Sequence, residues 1–426
     1  MRRFISITAA CGAAAIIASK PAPAPNASAE QLLDSLVAAN ARSLSLDRGR
    51  LTGSGAEWLF AEASRAQFLA IGEEHNVTEI PALITALITD LAPRAGYRYV
   101  ALEQDPAAMR AASVSPLRGR VDSVLAYAHR YPHAFTFMSD QELAMIADVG
   151  RVANGRGNPL WGLDQSFGVT HALDRLGIIT RDAPPEAAAL IRAYRDSASA
   201  KERVRDLEKY HYMSAAKSED FERLGQLLHP PANSEAAFLI DNLVVSDRVY
   251  RYYRERRGYD NGYEREEFMK RRFMDEYRRA EAADHAAPKV ILKMGHWHLY
   301  RGIGPSNLQT LGNFVSELAR VNGGRSFHVS VHGNNPAGGY RTLTAWPDSF
   351  PDPLIARSLP TDAWTIVDLR PLRANYRRIA AALRPDQRDQ FATPGLWLRR
   401  RPVPGRHAAS DVREQPWRGV LVAWRL

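Results

Sequence analysis

Residues 68–79 read Phe-Leu-Ala-Ile-Gly-Glu-Glu-His-Asn-Val-Thr-Glu, and this stretch organises the predicted fold. An apolar run that ends at a glycine is typical of a buried strand, which we predict to end at Gly72. Pro81 then begins an apolar pattern with helical spacing. Because ligands bind outside the carboxyl ends of the strands in open α/β sheets, the polar loop from Glu73 to Glu79 is where a site is expected.

The same pattern recurs along the chain. A second strand is predicted at 97–102, and the helix between the two strands completes a βαβ unit of about 35 residues. Further strands are predicted at 159–163, 289–294 and 326–331, with helical spacing between them. We therefore predict an α/β fold with a mostly parallel sheet flanked by helices.

Three regions are predicted after the leader. An α/β domain covers residues 30–335. Within it, residues 180–285 show helical spacing and form a predicted helical insertion over the carboxyl edge of the sheet. Residues 336–426 form a C-terminal extension with short strand patterns at 365–369 and 419–424.

The first residues have the pattern of a secretory signal peptide, assigned to residues 1–29. Two arginines precede a short apolar run at 4–18, and small residues end at Ala29. We therefore expect a periplasmic or secreted protein. The run is too short to span a bilayer, and no later stretch reaches the ~20 apolar residues that a spanning helix needs. Lipidation of Cys11 is left open.

The composition narrows the classes of partner. Of the 426 residues 45% are hydrophobic and 24% are charged, which suits a globular protein with a sizeable core. Cleavage after Ala29 would remove three basic residues and no acidic one, which lowers the formal charge from +9 to +6. This modest excess is weak evidence for nucleic acid, which we do not expect as a partner of an exported chain, and the expected partner is a small-molecule substrate. Since Cys11 is the only cysteine, the mature chain would have no thiolate nucleophile.

Four predicted strands run directly into ionisable side chains. If the strands are parallel, these side chains line one edge of the sheet although they are far apart in sequence. Carboxylates and imidazoles in one cleft shift each other's pKa toward the range of a general base, and the same groups could hold a divalent metal. The residues are Glu73, Glu74, His75, Glu103, Asp105, Asp164, His296 and His298.

Each residue alone also has a structural interpretation. His75 could bond a backbone carbonyl, and Asp164 could cap a helix. His296 and His298 alternate, so on an extended segment both would face the same way. The chain has no Gly-x-Ser-x-Gly, His-Glu-x-x-His, P-loop or Gly-x-Gly-x-x-Gly motif, so the residues favour histidine and carboxylate chemistry on water.

The strand ends resemble a known superfamily, which contains the erythromycin esterases, the ChaN-type haem-binding lipoproteins and the Tiki-type proteases. The resemblance rests on residues 68–75, 101–103 and 296–298. It is nearest to the erythromycin esterase branch, because residues 265–269 and 311–314 are also similar to that branch. The Gly-Glu-x-His spacing is that of the ChaN and Tiki branches.

The resemblance implies a hydrolase in which a histidine activates water against an ester, lactone or amide, with no cofactor. His75 would be the base, with Glu73 and Glu103 as its carboxylate partners. His296 or His298 would be the facing imidazole. The implied substrate-binding residues are Glu74, Asp164 and Arg265.

Two alternatives follow from the other branches. A metal-dependent hydrolase or peptidase would use His75, Glu103, His296 and His298 as ligands. A haem- or iron-binding protein without enzymatic activity would use histidines as axial ligands. The oligomeric state is left open.

Overall fold

The structure is a computed structural model, and its strands belong to one sheet. It describes residues 27–73, 75, 79–153, 155, 157–203, 218–302, 307–333, 359, 364–383 and 419–424. The strands are β1 (Ala41–Asp47), β2 (Arg50–Thr52), β3 (Phe68–Glu73), β4 (Tyr97–Leu102), β5 (Leu160–Gly162), β6 (Lys289–Gly295), β7 (Ser326–Gly333), β8 (Trp364–Asp368) and β9 (Gly419–Trp424).

The sheet has the strand order β2-β1-β8-β9-β7-β3-β6-β4-β5. The five strands from β7 to β5 are parallel, and β3 lies between β6 and β7. β9 is antiparallel to β7, β8 is parallel to β9, and β1 is antiparallel to both β8 and β2. The predicted α/β class with a mostly parallel sheet is confirmed. β3 is buried on both faces, which explains why its sequence is a continuous apolar run.

Helices connect the strands. They are α1 (Ala27–Asn40), α2 (Ser54–Ser64), α3 (Glu79–Ala95), α4 (Pro106–Ala112), α5 (Val121–Arg130), α6 (Asp140–Val152), α7 (Thr170–Ile179), α8 (Pro185–Glu202), α9 (Ser218–Leu228), α10 (Glu235–Arg254), α11 (Gly258–Asp284), α12 (Leu311–Val321), α13 (Arg370–Ala374) and α14 (Tyr376–Ile379), with 3₁₀ turns at His296–Leu299 and Ala380–Ala382.

Two apolar layers enclose the parallel strands. On one face, α2, α3, α5 and α6 bury aliphatic side chains such as Leu87 and Ile146. On the other face, α11 and α12 pack against the sheet, and Phe273 makes edge contacts with Phe68 and Trp161. Helices α7 to α10 form a third apolar cluster. The last helix of the predicted insertion therefore belongs to the main core, which fixes its position relative to the strand ends.

The C-terminal strand patterns join the main sheet. β8 and β9 extend it beyond β7. The predicted leader and Cys11 lie outside the described residues, except for residues 27–29, which lie in the first turn of α1. No helix among the described residues is both long and apolar enough to cross a membrane.

Candidate active site

Glu103 joins the side chains at the carboxyl edge of the sheet. It follows β4 directly, and its side chain is only 3% exposed. Its Oε1 accepts a hydrogen bond from Arg265 Nη2 at 2.7 Å and lies 3.4 Å from His298 Nε2. Its Oε2 accepts the backbone N–H of Gly295 at 2.6 Å and lies 3.8 Å from His75 Nε2. One carboxylate therefore contacts residues from three different parts of the chain.

Two glycines allow this close approach. A Cβ on Gly162 would lie 2.4 Å from the carbonyl oxygen of Asp105, so glycine lets the turn after β4 cross the end of β5. A Cβ on Gly295 would lie 2.8 Å from Cε1 and Nε2 of His75. Since these contacts are shorter than any normal Cβ contact, a larger residue at 295 would displace the imidazole from Glu103.

His75 lies between two carboxylates. Its Nδ1 is 3.2 Å from Glu73 Oε1, its ring lies 4.5 Å from the Phe137 ring, and its side chain is 29% exposed. Burial lowers the pKa of His75, but the negative charge of Glu103 and the hydrogen bond and charge of Glu73 together raise it above its ordinary value. His75 is thus a strengthened base that still reaches solvent.

The pKa of Glu103 moves in the opposite direction. Burial raises this pKa, but the positive charges of His75, His298 and Arg265 hold it well below its ordinary range. Glu103 is therefore ionised at neutral pH and stabilises protons on both imidazoles.

His298 is the more deeply buried imidazole, with 12% of its side chain exposed. Its Nδ1 lies 2.6 Å from Glu266 Oε1, and Glu266 Oε2 accepts the backbone N–H of Leu311 at 2.8 Å. Burial lowers the pKa of His298, but Glu103 and Glu266 raise it to about 10 despite the opposing charge of Arg265. His298 is consequently an imidazolium at neutral pH.

The prediction that His296 and His298 face the same way is wrong. The chain leaves β6 as a 3₁₀ turn, His296–Leu299, instead of an extended segment. With three residues per turn, side chains two positions apart point about 120° apart. His296 Nδ1 therefore lies 3.1 Å from Ser330 Oγ on β7, while His298 lies beside Glu103.

Arg265 reaches the strand ends from α11. Its Nε and Nη2 bind the two oxygens of Asp164 at 2.8 and 2.7 Å, and Nη2 also binds Glu103. Asp164 is fully buried and binds this guanidinium instead of capping a helix. The two carboxylates orient Arg265, whose side chain remains 25% exposed.

Sequence reasoning missed Lys293 and Glu142. Lys293 Nζ is 2.9 Å from Glu73 Oε1 and 2.8 Å from Glu142 Oε1, and all three side chains are at most 5% exposed. A sequence signal existed for Lys293, which is the single charged residue in the apolar run 290–294. Glu142 lies in an amphipathic helix, where nothing in the sequence distinguishes it.

Asp105 lies outside this cluster. Asp105 accepts the backbone N–H of Ala108 at 2.7 Å, which caps α4, and lies 3.2 Å from His171 Nε2. Glu74 lies outside the described residues.

The described side chains do not fit a divalent metal. Within the described part of the chain, no group of three or more His, Cys, Asp or Glu side chains is arranged to hold a metal ion. Of the predicted ligands, Glu103 uses both of its oxygens to accept hydrogen bonds, from Arg265 and from the backbone N–H of Gly295. A guanidinium therefore supplies the positive charge at this position.

Comparisons with known proteins give distant structural likenesses. No family model matches the chain, and no curated protein matches it. A succinoglycan biosynthesis protein has a TM-score of 0.47 and 16% identity, over 72% of this chain and 75% of that chain.

Two further solved structures are similar in the same range. A mutant of the erythromycin esterase EreC in its open conformation has a TM-score of 0.45 and 16% identity, over 70% of this chain and 80% of that chain. A protein from Bacillus cereus has a TM-score of 0.49 and 12% identity, over 78% of this chain and 84% of that chain. No residue role in this chain is taken from them.

Proposed function

We propose that the protein is a hydrolase in which His75 activates water against an ester, a lactone or an amide. The observation that carries the proposal is the placement of His75. One ring nitrogen contacts a buried carboxylate, and the imidazole still reaches solvent beside Arg265 and His298. A base, an oriented guanidinium and an imidazolium, all of which face Glu103, can together activate water and stabilise an oxyanion.

The hydrogen bond to Glu73 assigns the tautomer of His75. When Nδ1–H donates to Glu73 Oε1, the lone pair of the neutral imidazole is on Nε2. Nε2 is 3.8 Å from Glu103 Oε2, beyond hydrogen-bonding distance, so this lone pair is free to accept a proton from water. Base catalysis of this kind contributes about 10²–10⁴-fold in rate.

The proposed reaction has two steps. In the first, Nε2 of His75 takes one proton of a water molecule while the water oxygen bonds to the acyl carbon and the carbonyl oxygen becomes an oxyanion. In the second, the oxyanion re-forms the carbonyl and the bond to the leaving oxygen breaks. The leaving oxygen takes the proton back from Nε2, which yields an acid and an alcohol and restores neutral His75.

Arg265 and His298 are the proposed stabilisers of the oxyanion. Nη1 of Arg265 makes no hydrogen bond to any described residue, and the side chain is partly exposed. His298 carries a positive charge at neutral pH, since its pKa is about 10. Both ring nitrogens of His298 face carboxylates, so His298 would act through its charge and Arg265 Nη1 would be the donor. The loss of one oxyanion donor typically costs about 10²–10³ in kcat.

We also propose that the protein is exported. The pattern of residues 1–29 supports this, and the N-terminal sequence of protein recovered from cells that express the full chain tests it. A periplasmic or secreted chain that begins at Glu30 is expected. A chain that retains Met1 and stays in the cytoplasm contradicts the proposal.

The test of the activity is His75→Ala with hydrolysis of p-nitrophenyl acetate, on protein dialysed against a chelator. We expect the variant to lose at least about 10²-fold in kcat/KM and to keep its Tm, because His75 is partly solvated and not part of the packed core.

The matched control is His129→Ala, which removes an exposed imidazole on α5 and should leave the rate unchanged. A folded His75→Ala protein that hydrolyses the ester at the wild-type rate refutes the role of His75. A wild-type protein that hydrolyses neither this ester, an aryl lactone nor an aryl amide refutes the proposed function.

A further inference from the structure

One oxygen atom connects His75 to a deeper group of charges. Glu73 Oε1 is 3.2 Å from His75 Nδ1 and 2.9 Å from Lys293 Nζ. Lys293 Nζ is also 2.8 Å from Glu142 Oε1. Because β3, β6 and α6 supply these groups, the chain of contacts runs from a solvent-exposed imidazole into the core of the sheet.

The buried part of this chain does not balance its charge. One ammonium faces two carboxylates, and Phe137 covers it, with its ring 5.6 Å from Lys293 Nζ and 4.5 Å from the His75 ring. An excess negative charge away from water is costly. One proton, bound either by His75 or by Glu142, neutralises this excess negative charge. A proton on one of these residues therefore makes a proton on the other less favourable.

Other charged groups also face these residues. Glu103 faces His75 from the end of β4, and Arg265 and His298 face Glu103. Gln104 bonds to Glu142. Lys293 and Glu142 differ from this outer set because they act on His75 only through the interior of the sheet.

We propose that Lys293 and Glu142 are positioning residues of the water-activating site, which hold Glu73 against Nδ1 of His75 and set how strongly His75 accepts a proton. This inference rests on the proposed function. Lys293 keeps Glu73 ionised and directed at the imidazole, and its own charge opposes a proton on His75. Glu142 partly cancels the charge of Lys293 and favours that proton.

Removal of either charge should therefore change the proton affinity of His75 in opposite directions. Without the ammonium in Lys293→Met, Glu142 becomes neutral and the Glu73–imidazolium pair remains, so the pKa of His75 rises further. In Glu142→Gln, Lys293 acts on Glu73 alone, so the pKa of His75 falls. Coulombic effects over these distances should shift the pKa of His75 by roughly 0.5–1 or more.

The experiment is the pH dependence of kcat/KM for p-nitrophenyl acetate between about pH 5 and about pH 9. The rising limb reports the base of the free enzyme. We expect Lys293→Met to move this limb to higher pH and Glu142→Gln to move it to lower pH. The double variant should follow Lys293→Met, because Glu142 is already neutral once the ammonium is gone. Lys289→Met makes the same substitution at the other end of β6 and should leave the limb in place.

Nuclear magnetic resonance of protein with ¹⁵N-labelled histidine titrates His75 directly, and the spectrum of His75→Ala identifies its signals. This titration separates the two proposals, because it shows the opposite shifts even if the wild-type protein hydrolyses no ester. The positioning role of Lys293 and Glu142 is overturned if the rising limb and the titration of His75 stay in place in both variants. It is also overturned if they move in the same direction in both. If Lys293→Met does not fold, Glu142→Gln and the double variant decide.

Discussion

The two imidazoles beside Glu103 have similar partners but differ in how far they are exposed to solvent. Each has one nitrogen at the carboxylate of Glu103 and the other at a second glutamate, which is Glu73 for His75 and Glu266 for His298. His298 has a pKa of about 10 and 12% of its side chain is exposed, whereas the pKa of His75 is raised above its ordinary value and 29% of its side chain is exposed. Proximity to a carboxylate alone therefore does not decide the role of a histidine.

The two imidazoles also differ in what their second glutamate binds. Glu73 shares Oε1 with the ammonium of Lys293, so part of its negative charge is already compensated. Glu266 accepts a neutral backbone N–H from Leu311, which leaves its charge to His298. A histidine beside a glutamate is thus a partly exposed base after β3, where it is His75, and a buried cation after β6, where it is His298.

The largest effect is expected from Glu103→Gln, which removes the charge that both imidazoles share. The pKa of each histidine should fall, His75 should become a weaker base, and Arg265 should lose one of its two carboxylates. We expect kcat/KM for p-nitrophenyl acetate to fall by about 10²–10⁴-fold. Glu57→Gln, an exposed change on α2, is the control and should retain full activity. A folded Glu103→Gln protein with less than about a tenfold loss would break the comparison.

A smaller effect is expected from His298→Gln, which keeps a hydrogen-bonding side chain and removes the charge. Loss of this positive charge near the oxyanion should lower kcat by about 10²-fold. The wild-type rate should rise with pH as His75 loses its proton, through a pKa above the ordinary histidine value. It should fall again near pH 10 as His298 loses its proton.

His298→Gln should therefore keep the rising limb and lose the falling one. Measurement of kcat across this range distinguishes the two imidazoles. If the rising limb disappears instead, the roles of His75 and His298 are reversed.

Local patterns were sufficient for the parallel part of the sheet. β3, β4 and β6 each contain an apolar run followed by ionisable groups, and their positions agree with the prediction. β1 and β2 were not predicted. Residues 41–52 are largely polar and show only a weak alternation of apolar and polar side chains, which is the pattern that would indicate a hairpin at the edge of a sheet. Edge strands gain less from burial, so their sequences are less constrained.

The site was only partly predictable for a similar reason. Position after a strand identified His75, Glu103, Asp164 and His298. Arg265 was reached only through a family resemblance, because helical spacing does not show which turn of the 27-residue helix α11 meets the sheet edge. The contact between Lys293 and Glu142 joins residues 151 positions apart and depends on how α6 packs. No local pattern contains that information.

The smallest expected effect is on the free energy of unfolding. It tests the comparison of His75 with His298 without any substrate. The pKa of His298 in the folded protein is about 10, above the ordinary value of 6.5. The stabilisation that its proton provides is therefore complete below about pH 6.5 and is lost as pH rises toward 10. As the pH rises from about 6.5 to about 8, the loss of this stabilisation should lower the free energy of unfolding by about 2 kcal/mol. His75 acts in the same direction, because its pKa is also raised in the folded protein.

Urea unfolding of the wild type and of His298→Gln at these two pH values measures the difference. We expect the variant to be less stable than the wild type at pH 6.5 and the gap between them to shrink at pH 8, since the wild type alone loses the contribution of His298. His129→Ala, with its exposed imidazole, should follow the wild type at both values. A gap that stays constant with pH would mean that His298 takes up no extra proton on folding, and the contrast between the two imidazoles would then need another cause.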